Sequence, residues 1–384
     1  MRKTNLMDVR LQNANTILHE LELHEGTTNT EIALTYRFSI PTVTKIVNVL
    51  KQNDMVQYLG ANQSSGGRRA KRIGLNPDYR NFIGLFISKH IVYLAVIDFT
   101  GKVIKNSSVY CQFEDTPSYW ESIRQLIEDI LQFTTAPCTC GLAVPGICDY
   151  EHDQIIRLDS LGISSLSISA VRKHMQCDIW INNSEKISGL AQLYGKEQYT
   201  NAVFVTLNRH ISGVLILNNE IFTFSSFDCA FGDMIISRES KHVSCGPAGT
   251  FNSLCSSSFI IDLLRKEGIE DLYDSFFQAL NNGNEHYLQL WNEYLDHLAV
   301  GIHNIHAVFG INVVVGGEMA NYLPPYFEEL CCRIDRLSAL VPAKDYLLFS
   351  EYGRFDSAIG AALDARKEYI RTNLPILLQK QEEA

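Results

Sequence analysis

Pro41, Thr42, Thr44 and Lys45 set two short hydroxyls and one cation within five residues of chain. Displayed at the start of a helix, such a set hydrogen-bonds base edges and pairs with phosphate in a major groove. Ser39 stands just ahead, a small hydroxyl suited to capping that helix. Pro41 falls in the first turn, where its missing N–H loses no hydrogen bond. Farther along, Gly66 and Gly67 precede Arg68, Arg69, Lys71 and Arg72. The paired glycines let backbone approach a duplex closely, and Arg68 or Arg69 can enter a minor groove or grip phosphate.

The elements that must position these groups are legible around them. Asn29 is placed to cap a short helix with Ile32 and Ala33 on its inner side, and Arg37-Phe38 breaks it. Val43, Ile46, Val47 and Leu50 then recur at helical spacing and turn an apolar face toward that first helix. Asp54–Tyr58 reads as a turn into a strand, and Gly60–Gly67 as a hairpin tip. An earlier helix over Leu11–Leu23 supplies Ile17, Leu18, Leu21 and Leu23 as core. A helical pair alone occurs in proteins of every class. The basic hairpin in register behind it is what points to a winged helix-turn-helix over residues 1–78 and to double-stranded DNA as partner. Asn76-Pro77-Asp78 marks a linker at 75–80.

The 384 residues carry a formal net charge of −10. Residues 1–80 hold eleven Lys and Arg against seven Asp and Glu, so the excess acid lies in the remainder. A basic module on an acidic body is expected where one part alone meets phosphate. No apolar run approaches the ~20 residues that cross a bilayer, and the charged amino terminus lacks a signal peptide's apolar core. The reading is a cytoplasmic protein with no membrane partner. Ten scattered cysteines, Cys138/Cys140 and Cys331/Cys332 among them, read as free thiols.

From Phe82 the pattern changes to three strands, a helix over Tyr119–Phe133 and a buried strand ending at Pro145-Gly146. This β-β-β-α-β order opens an actin-like lobe. A helix at Ser167–Met175 and a strand at Cys177–Ile181 continue it. A second strand group spans Asn201–Leu217 and Glu220–Phe224. Helices follow at Ser257–Lys266, Leu272–Asn281 and Glu285–Phe309, then a strand at Ile311–Val315 and a helix at Ser357–Tyr369. The fold class expected is α/β: a winged helix-turn-helix followed by a two-lobed actin-like body. The lobes fall at 79–199 and 200–384, with the C-terminal helix returning to the first lobe.

Several motifs together resemble one family. TNTEIA, SIPTVTKIVNVL and SSGGRRAKRIGLNP resemble the amino-terminal part of repressors of the ROK family (repressor, open reading frame, kinase). Arg10 with Asn13 and Asn15 resembles its opening R-x-x-N. GLAVPGICD resembles its G-x-x-V-P-G-x-x-D, Val314–Gly317 its V-I-G-G-G turn, and SAIGAALDARKEY its closing G-A-A helix. The resemblance implies a body built to bind ATP and a sugar between two lobes. The family's D-x-G-x-T loop is here Phe86-Ile87-Ser88-Lys89-His90, lacking the acid, glycine and threonine. Its E-N-D-A-N, which holds the catalytic base, is Ile181-Asn182-Asn183-Ser184-Glu185, and an amide at Asn183 cannot take the substrate proton. Its G-T-G-I-G-G-G is Asn208–Val214, with Gly213 the one glycine kept. Of its four zinc ligands Cys245 alone remains, with Ile236 at the histidine position; His242 and Cys255 are the candidate replacements.

The resemblance therefore implies a transcriptional repressor of carbohydrate genes with no catalytic residues, no cofactor and no metal. Its matching sugar contacts are Asn182, Asn183, Asp233 and Asn252, implying a sugar or sugar-phosphate effector. A helix-turn-helix on such a body implies a homodimer or homotetramer on an operator of two-fold symmetry. Two alternatives stay open: a body that only mediates protein interaction and dimerisation, and a sugar kinase carrying a DNA module.

Overall fold

The computed structural model describes residues 6–379 apart from 25, 62–70, 135, 176–177, 195–199, 223–228, 239–245, 269–272 and 339. The chain opens with α1 (Leu6–Leu23), α2 (Asn29–Thr35) and α3 (Ile40–Gln52), then strands β1 (Val56–Ala61) and β2 (Lys71–Leu75). β1 and β2 pair antiparallel, and Thr27 bridges to Ile73 through two backbone hydrogen bonds. Three helices and this small sheet form the winged helix-turn-helix arrangement. Ile17, Leu18, Leu21, Ile32, Val43, Ile46, Val47 and Leu50 share its core.

The cap of α2 is Thr28, not Asn29. The Thr28 hydroxyl accepts from the Glu31 amide while the Glu31 carboxylate accepts from the Thr28 amide. This reciprocal box needs the acid three residues after the cap, a spacing that Thr28 satisfies and Asn29 does not. Ser39 caps α3 by accepting from the Thr42 amide, with Pro41 in the first turn. Between the helices Arg37 takes a left-handed conformation, φ 55°. That conformation stops α2 and reverses the chain.

The body follows: β3 (Asn81–Ile87), β4 (Ile91–Ile97), β5 (Val103–Tyr110), α4 (Pro117–Leu131), β6 (Cys138–Val144), β7 (Ile147–Asp149), β8 (Gln154–Ile156), β9 (Ser165–Ser167), α5 (Ile168–Met175), β10 (Ile179–Asn183) and α6 (Ser184–Leu193). Next come β11 (Asn201–Leu207), β12 (Ile211–Leu217), β13 (Glu220–Phe222), α7 (Phe251–Cys255), α8 (Ser257–Lys266), α9 (Asp274–Asn281), α10 (Glu285–Phe309), β14 (Asn312–Gly316), α11 (Phe327–Leu337), β15 (Leu347–Phe349) and α12 (Asp356–Gln379).

Two five-stranded sheets repeat one plan. Their orders are β5-β4-β3-β6-β10 and β13-β12-β11-β14-β15. In each, the first three strands form an antiparallel meander and the last two join parallel to the first. This duplicated lobe is the actin-like architecture. β7, β8 and β9 make a separate small sheet.

α12 crosses the first sheet. A Cβ at Gly84 of β3 would lie 1.8 Å from the Ala358 carbonyl oxygen, and one at Gly141 of β6 2.1 Å from that of Ala361. Helix backbone therefore rests on strand backbone, and only glycine admits that approach. Beyond Tyr369 the helix continues through Pro375 to bury Leu374 and Leu378 in the core shared with α1–α3.

Candidate DNA-reading surface and interlobe cleft

On α3 the buried stripe leaves Ser39, Pro41 and Lys45 exposed and Thr42 and Thr44 half-buried. The hydroxyls are not equivalent. Ser39 is engaged in the cap and lies 2.7 Å from the Thr42 hydroxyl, while Thr44 accepts from the Asn29 amide across the turn at 3.1 Å. Asn29 thus braces the two helices, and Pro41, Lys45 and the exposed Asn48 share one outward strip. Asn48 was missed from the sequence, although its spacing of three from Lys45 places it on that strip.

At the base of the wing, Lys71 is exposed and its ammonium sits 4.8 Å from the Tyr58 ring centroid; Lys51 from α3 sits 4.0 Å from it. The tip carrying Arg68 and Arg69 lies outside the described residues. Arg72 points inward instead, its Nε donating to the Gly26 carbonyl at 3.0 Å. It straps the wing to the α1–α2 connection.

The reader meets the body through α12. Arg366 is buried and its Nη1 lies 2.6 Å from Glu22 of α1, while its Nε donates to the Phe99 carbonyl at 2.7 Å. The guanidinium also lies 5.0 Å from the Phe99 ring and 5.3 Å from the Tyr194 ring. Burial pushes the Glu22 carboxyl up, but Arg366 and His19 outweigh it and hold it below the usual carboxylate range. At the far end Arg10 donates to the Leu378 carbonyl at 3.0 Å. Between α1, α6 and α12 lies a groove of about 2190 Å³ including its open side. The polar part of the mooring is therefore concentrated at the two arginines, beside the apolar packing of Leu374 and Leu378.

The two sheets face each other across a cleft of about 910 Å³ including its open mouth. The first lobe supplies Phe86 and Ser88 to Ile91 from the β3–β4 hairpin, Pro145-Gly146, Arg157, Asp159, Ser160 and Glu185; the second supplies Asn208, Arg209, His210, Ile261, Tyr273 and Glu318. Phe86 lies flat on Tyr93, centroids 5.8 Å apart, and the cleft stays open beside it. Glu318 accepts hydrogen bonds from Tyr93 at 2.9 Å, Ser257 at 3.1 Å and Tyr273 at 2.7 Å.

Of the four sugar-contact candidates, none lies on the cleft wall itself. Asn183 caps α6 by accepting from the Lys186 amide, and its Nδ2 donates to Gly146 at 2.7 Å and Glu185 at 2.6 Å. It stands immediately behind the wall. Asn182 turns away to donate to Asp364 of α12 at 3.0 Å. Asn252 is buried, accepting from the Ile211 amide at 2.6 Å behind the β11–β12 turn. Asp233 is exposed beside His210, on whose ring its charge acts. Cys245 and His242 lie outside the described residues. Cys255 is buried in the second-lobe core, where burial pushes its thiol well up, and its Sγ faces the Tyr294 carbonyl. Among the described residues no three His, Cys, Asp or Glu converge as a metal site, and no helix is long and apolar enough to cross a membrane.

A winged helix-turn-helix moored on a duplicated two-lobed body defines a class, the DNA reader joined to a sugar-kinase-like fold. The chain belongs to the ROK family, whose pattern matches residues 82–368. It is 21% identical over 314 residues to the xylose repressor of Caldicellulosiruptor bescii, covering 75% of this chain and 78% of that one. Among solved structures, a ROK-family transcriptional regulator, a homologue of the E. coli MLC protein, superposes with a TM-score of 0.74 at 17% identity. That likeness covers 98% of this chain and 100% of the other. The ROK hexokinase of Thermus thermophilus superposes with a TM-score of 0.58 at 19% identity, over 76% of this chain and 99% of the enzyme. The kinase likeness therefore leaves out about a quarter of this chain, and the regulator likeness spans nearly all of it.

Proposed function

We propose that the chain is a sequence-specific DNA-binding transcriptional regulator, a repressor of carbohydrate genes, whose body binds a small carbohydrate-class effector and transfers no phosphate. The observation that carries it is the outward strip of α3, with Pro41, Lys45 and Asn48 free of the core and the basic Lys51–Tyr58–Lys71 patch beside it. Thr42, Thr44 and Ser39 shape the strip. The body lacks a carboxylate at Asn183, whose amide is occupied in capping α6. Phe86 occupies the first phosphate loop. Both features favour a sensor over an enzyme. An open cleft favours a small ligand over a body that only mediates dimerisation. Two such chains on a two-fold operator give the usual helix-turn-helix geometry, half-sites ~34 Å or a multiple apart.

The test is selection of sheared genomic DNA by the purified full chain, followed by affinity measurement on the enriched sites. Specific sites should bind about a thousandfold or more tighter than random duplex at moderate salt. Recovery of no common sequence in low salt overturns the proposal. Thermal-shift screening against sugars and sugar phosphates tests the effector, since a ligand of the native state raises Tm. Silence across the panel supports the dimerisation module instead.

A further inference from the structure

The two turns that resemble the family's phosphate loops carry cationic and imidazole side chains here, beside glycine positions now held by Ser88, Asn208, His210, Ser212 and Val214. Lys89 and His90 lie on the β3–β4 hairpin of the first lobe, and Arg209 and His210 on the β11–β12 turn of the second. Arg265 of α8 reaches across the cleft to place its Nη2 2.9 Å from the His90 Nε2. Among the described residues neither the Lys89 ammonium nor the Arg209 guanidinium has a hydrogen-bond or ion-pair partner, and the His90 Nδ1 has none either. The His90 imidazole is held below its usual range by burial, then by the charges of Arg265, Arg209 and Lys89; no carboxylate acts on it. Asp159 lies in the same cavity and acts on His210, yet among the described residues no carboxylate is paired with Lys89 or Arg209, and like charges gathered from two lobes without such pairing are unfavourable.

Both turns are rigidly mounted. The Ser88 hydroxyl donates to the Ile91 carbonyl at 2.8 Å, and the carbonyls of Lys89 and His90 accept from Phe113 and Cys111. On the other side the Arg209 carbonyl accepts from the Ser258 hydroxyl, the Asn208 carbonyl from the Ser257 amide, and the Asn208 side chain from the Glu318 amide. The cations therefore present a prepared site rather than a mobile surface.

We infer that this cationic end of the cleft is a clamp for a phosphate monoester, carried by a polyhydroxylated small molecule and gripped from both lobes at once. Lys89 and Arg209 bind the phosphate oxygens by charge-assisted hydrogen bonds, which Arg makes in bidentate fashion. The carboxylates of Asp159, Glu185 and Glu318, elsewhere on the same wall, accept hydrogen bonds from hydroxyls of the remainder. This rests on the effector reading above and names the chemical class that the cleft takes. Because the clamp's halves belong to different lobes, its occupant favours the closed arrangement.

Isothermal titration of the full chain tests it, with glucose 6-phosphate, xylose 5-phosphate, the two unphosphorylated sugars, ADP and inorganic phosphate as probes. At least one sugar phosphate should bind while its neutral sugar does not. Lys89→Gln and Arg209→Gln should each weaken that binding by about tenfold or more, with the melting temperature of the unliganded variants unchanged. Equal binding of neutral and phosphorylated sugar, indifference to both substitutions, or no binding by any probe overturns the clamp. Binding of ADP alone overturns the carbohydrate assignment. Sugar-phosphate binding by a protein that ignores all DNA would keep the clamp and refute the regulator, and the converse result would do the reverse.

Discussion

Glu22→Ala removes one partner of the pair that moors the DNA reader to α12. Arg366 keeps 4% of its side-chain surface exposed and Glu22 keeps 15%. Removing one member of a buried pair costs about 3–5 kcal/mol, because the other charge stays behind unpaired. The partial exposure of Glu22 and the surviving bond from Arg366 to Phe99 set the cost near the lower end, about 3 kcal/mol. Two local effects oppose the loss, since alanine favours helix and an acid near the α1 C-terminus faces the negative end of the helix dipole; each is worth about 0.5 kcal/mol. The net loss is about 2 kcal/mol; an unfolding entropy of about 2.1 cal/mol/K per residue makes roughly 0.8 kcal/mol/K for the whole chain, so Tm should fall by about 2–3 °C.

A double-mutant cycle isolates the pair. Arg366→Met keeps most of the packing on Phe99 and Tyr194 while removing the charge. The combination with Glu22→Ala should be less destabilised than the two single effects predict, with a coupling of about 2 kcal/mol. Calorimetry of the four proteins measures it. A coupling below about 0.5 kcal/mol would refute the claim that this pair holds the reader to the body. The pH dependence has a defined sign. Glu22 sits below its unfolded pKa, so the stabilisation is fully present above about pH 4.3 and disappears as pH falls through the lower folded value. The Glu22→Ala protein should lack that component of acid sensitivity.

Four further outcomes are expected. Ser39→Ala removes the α3 cap and should cost about 1 kcal/mol of stability, read by denaturant titration, with weaker operator binding alongside. Lys45→Ala should weaken operator binding and lower the slope of log K against log salt by about one, the mark of a lost phosphate contact; an unchanged slope removes Lys45 from the interface. Gly84→Val places side chain where the Ala358 carbonyl lies and should leave little folded protein, as judged by circular dichroism and soluble yield. Incubation with ATP and a sugar panel should yield no sugar phosphate; transfer abolished by Asn183→Ala or Glu185→Gln would restore the kinase reading.

The helix-turn-helix was legible because its signals are local. Ser39 and Pro41 mark where α3 starts, and the apolar stripe from Val43 to Leu50 orients it. The Asn29 reading erred by one residue because three potential caps stand together at Thr27, Thr28 and Asn29, and only the acid at Glu31 decides between them. Strands β7 to β9 were not read, since three residues hold too little alternation to stand out. α6 escaped because Ser184, Ser188 and Gly189 dilute its apolar face, although Ser188 bonds Ser357 of α12, Gly189 lies against Val214 of β12, and Gly360 of α12 admits the α6 backbone at Ile187. The cleft wall was half legible. Phe86 and His210 were placed by their loops, yet nothing along the chain announces that Arg265 meets His90 across 175 residues. Arg72 reads as one more wing cation, and its contact with Gly26 appears only once the fold brings them together.

Those long-range contacts show how the two-lobed body is tied to the helix-turn-helix. The first turn of α12 lies behind the cleft wall, one residue removed from Glu318. There the buried carboxylate of Asp356 accepts from the Gly317 amide at 3.1 Å, next to Glu318, and from the Gln192 amide at 2.8 Å. Its last turn receives Arg10, and its middle holds Glu22 through Arg366. At ~1.5 Å per residue, the 24 residues of the helix span roughly 36 Å, so one element runs from behind the cleft wall to the helix-turn-helix. A ligand that draws the second lobe toward the first displaces the turn at Gly317 and Glu318, and with it the seat of the helix on which α1 rides. Nothing in that linkage requires a catalytic base or a metal. It requires that the ligand contact both lobes and that the mooring at Glu22 hold, which is why the response of operator affinity to ligand should weaken in the Glu22→Ala protein while affinity for the ligand itself stays unchanged.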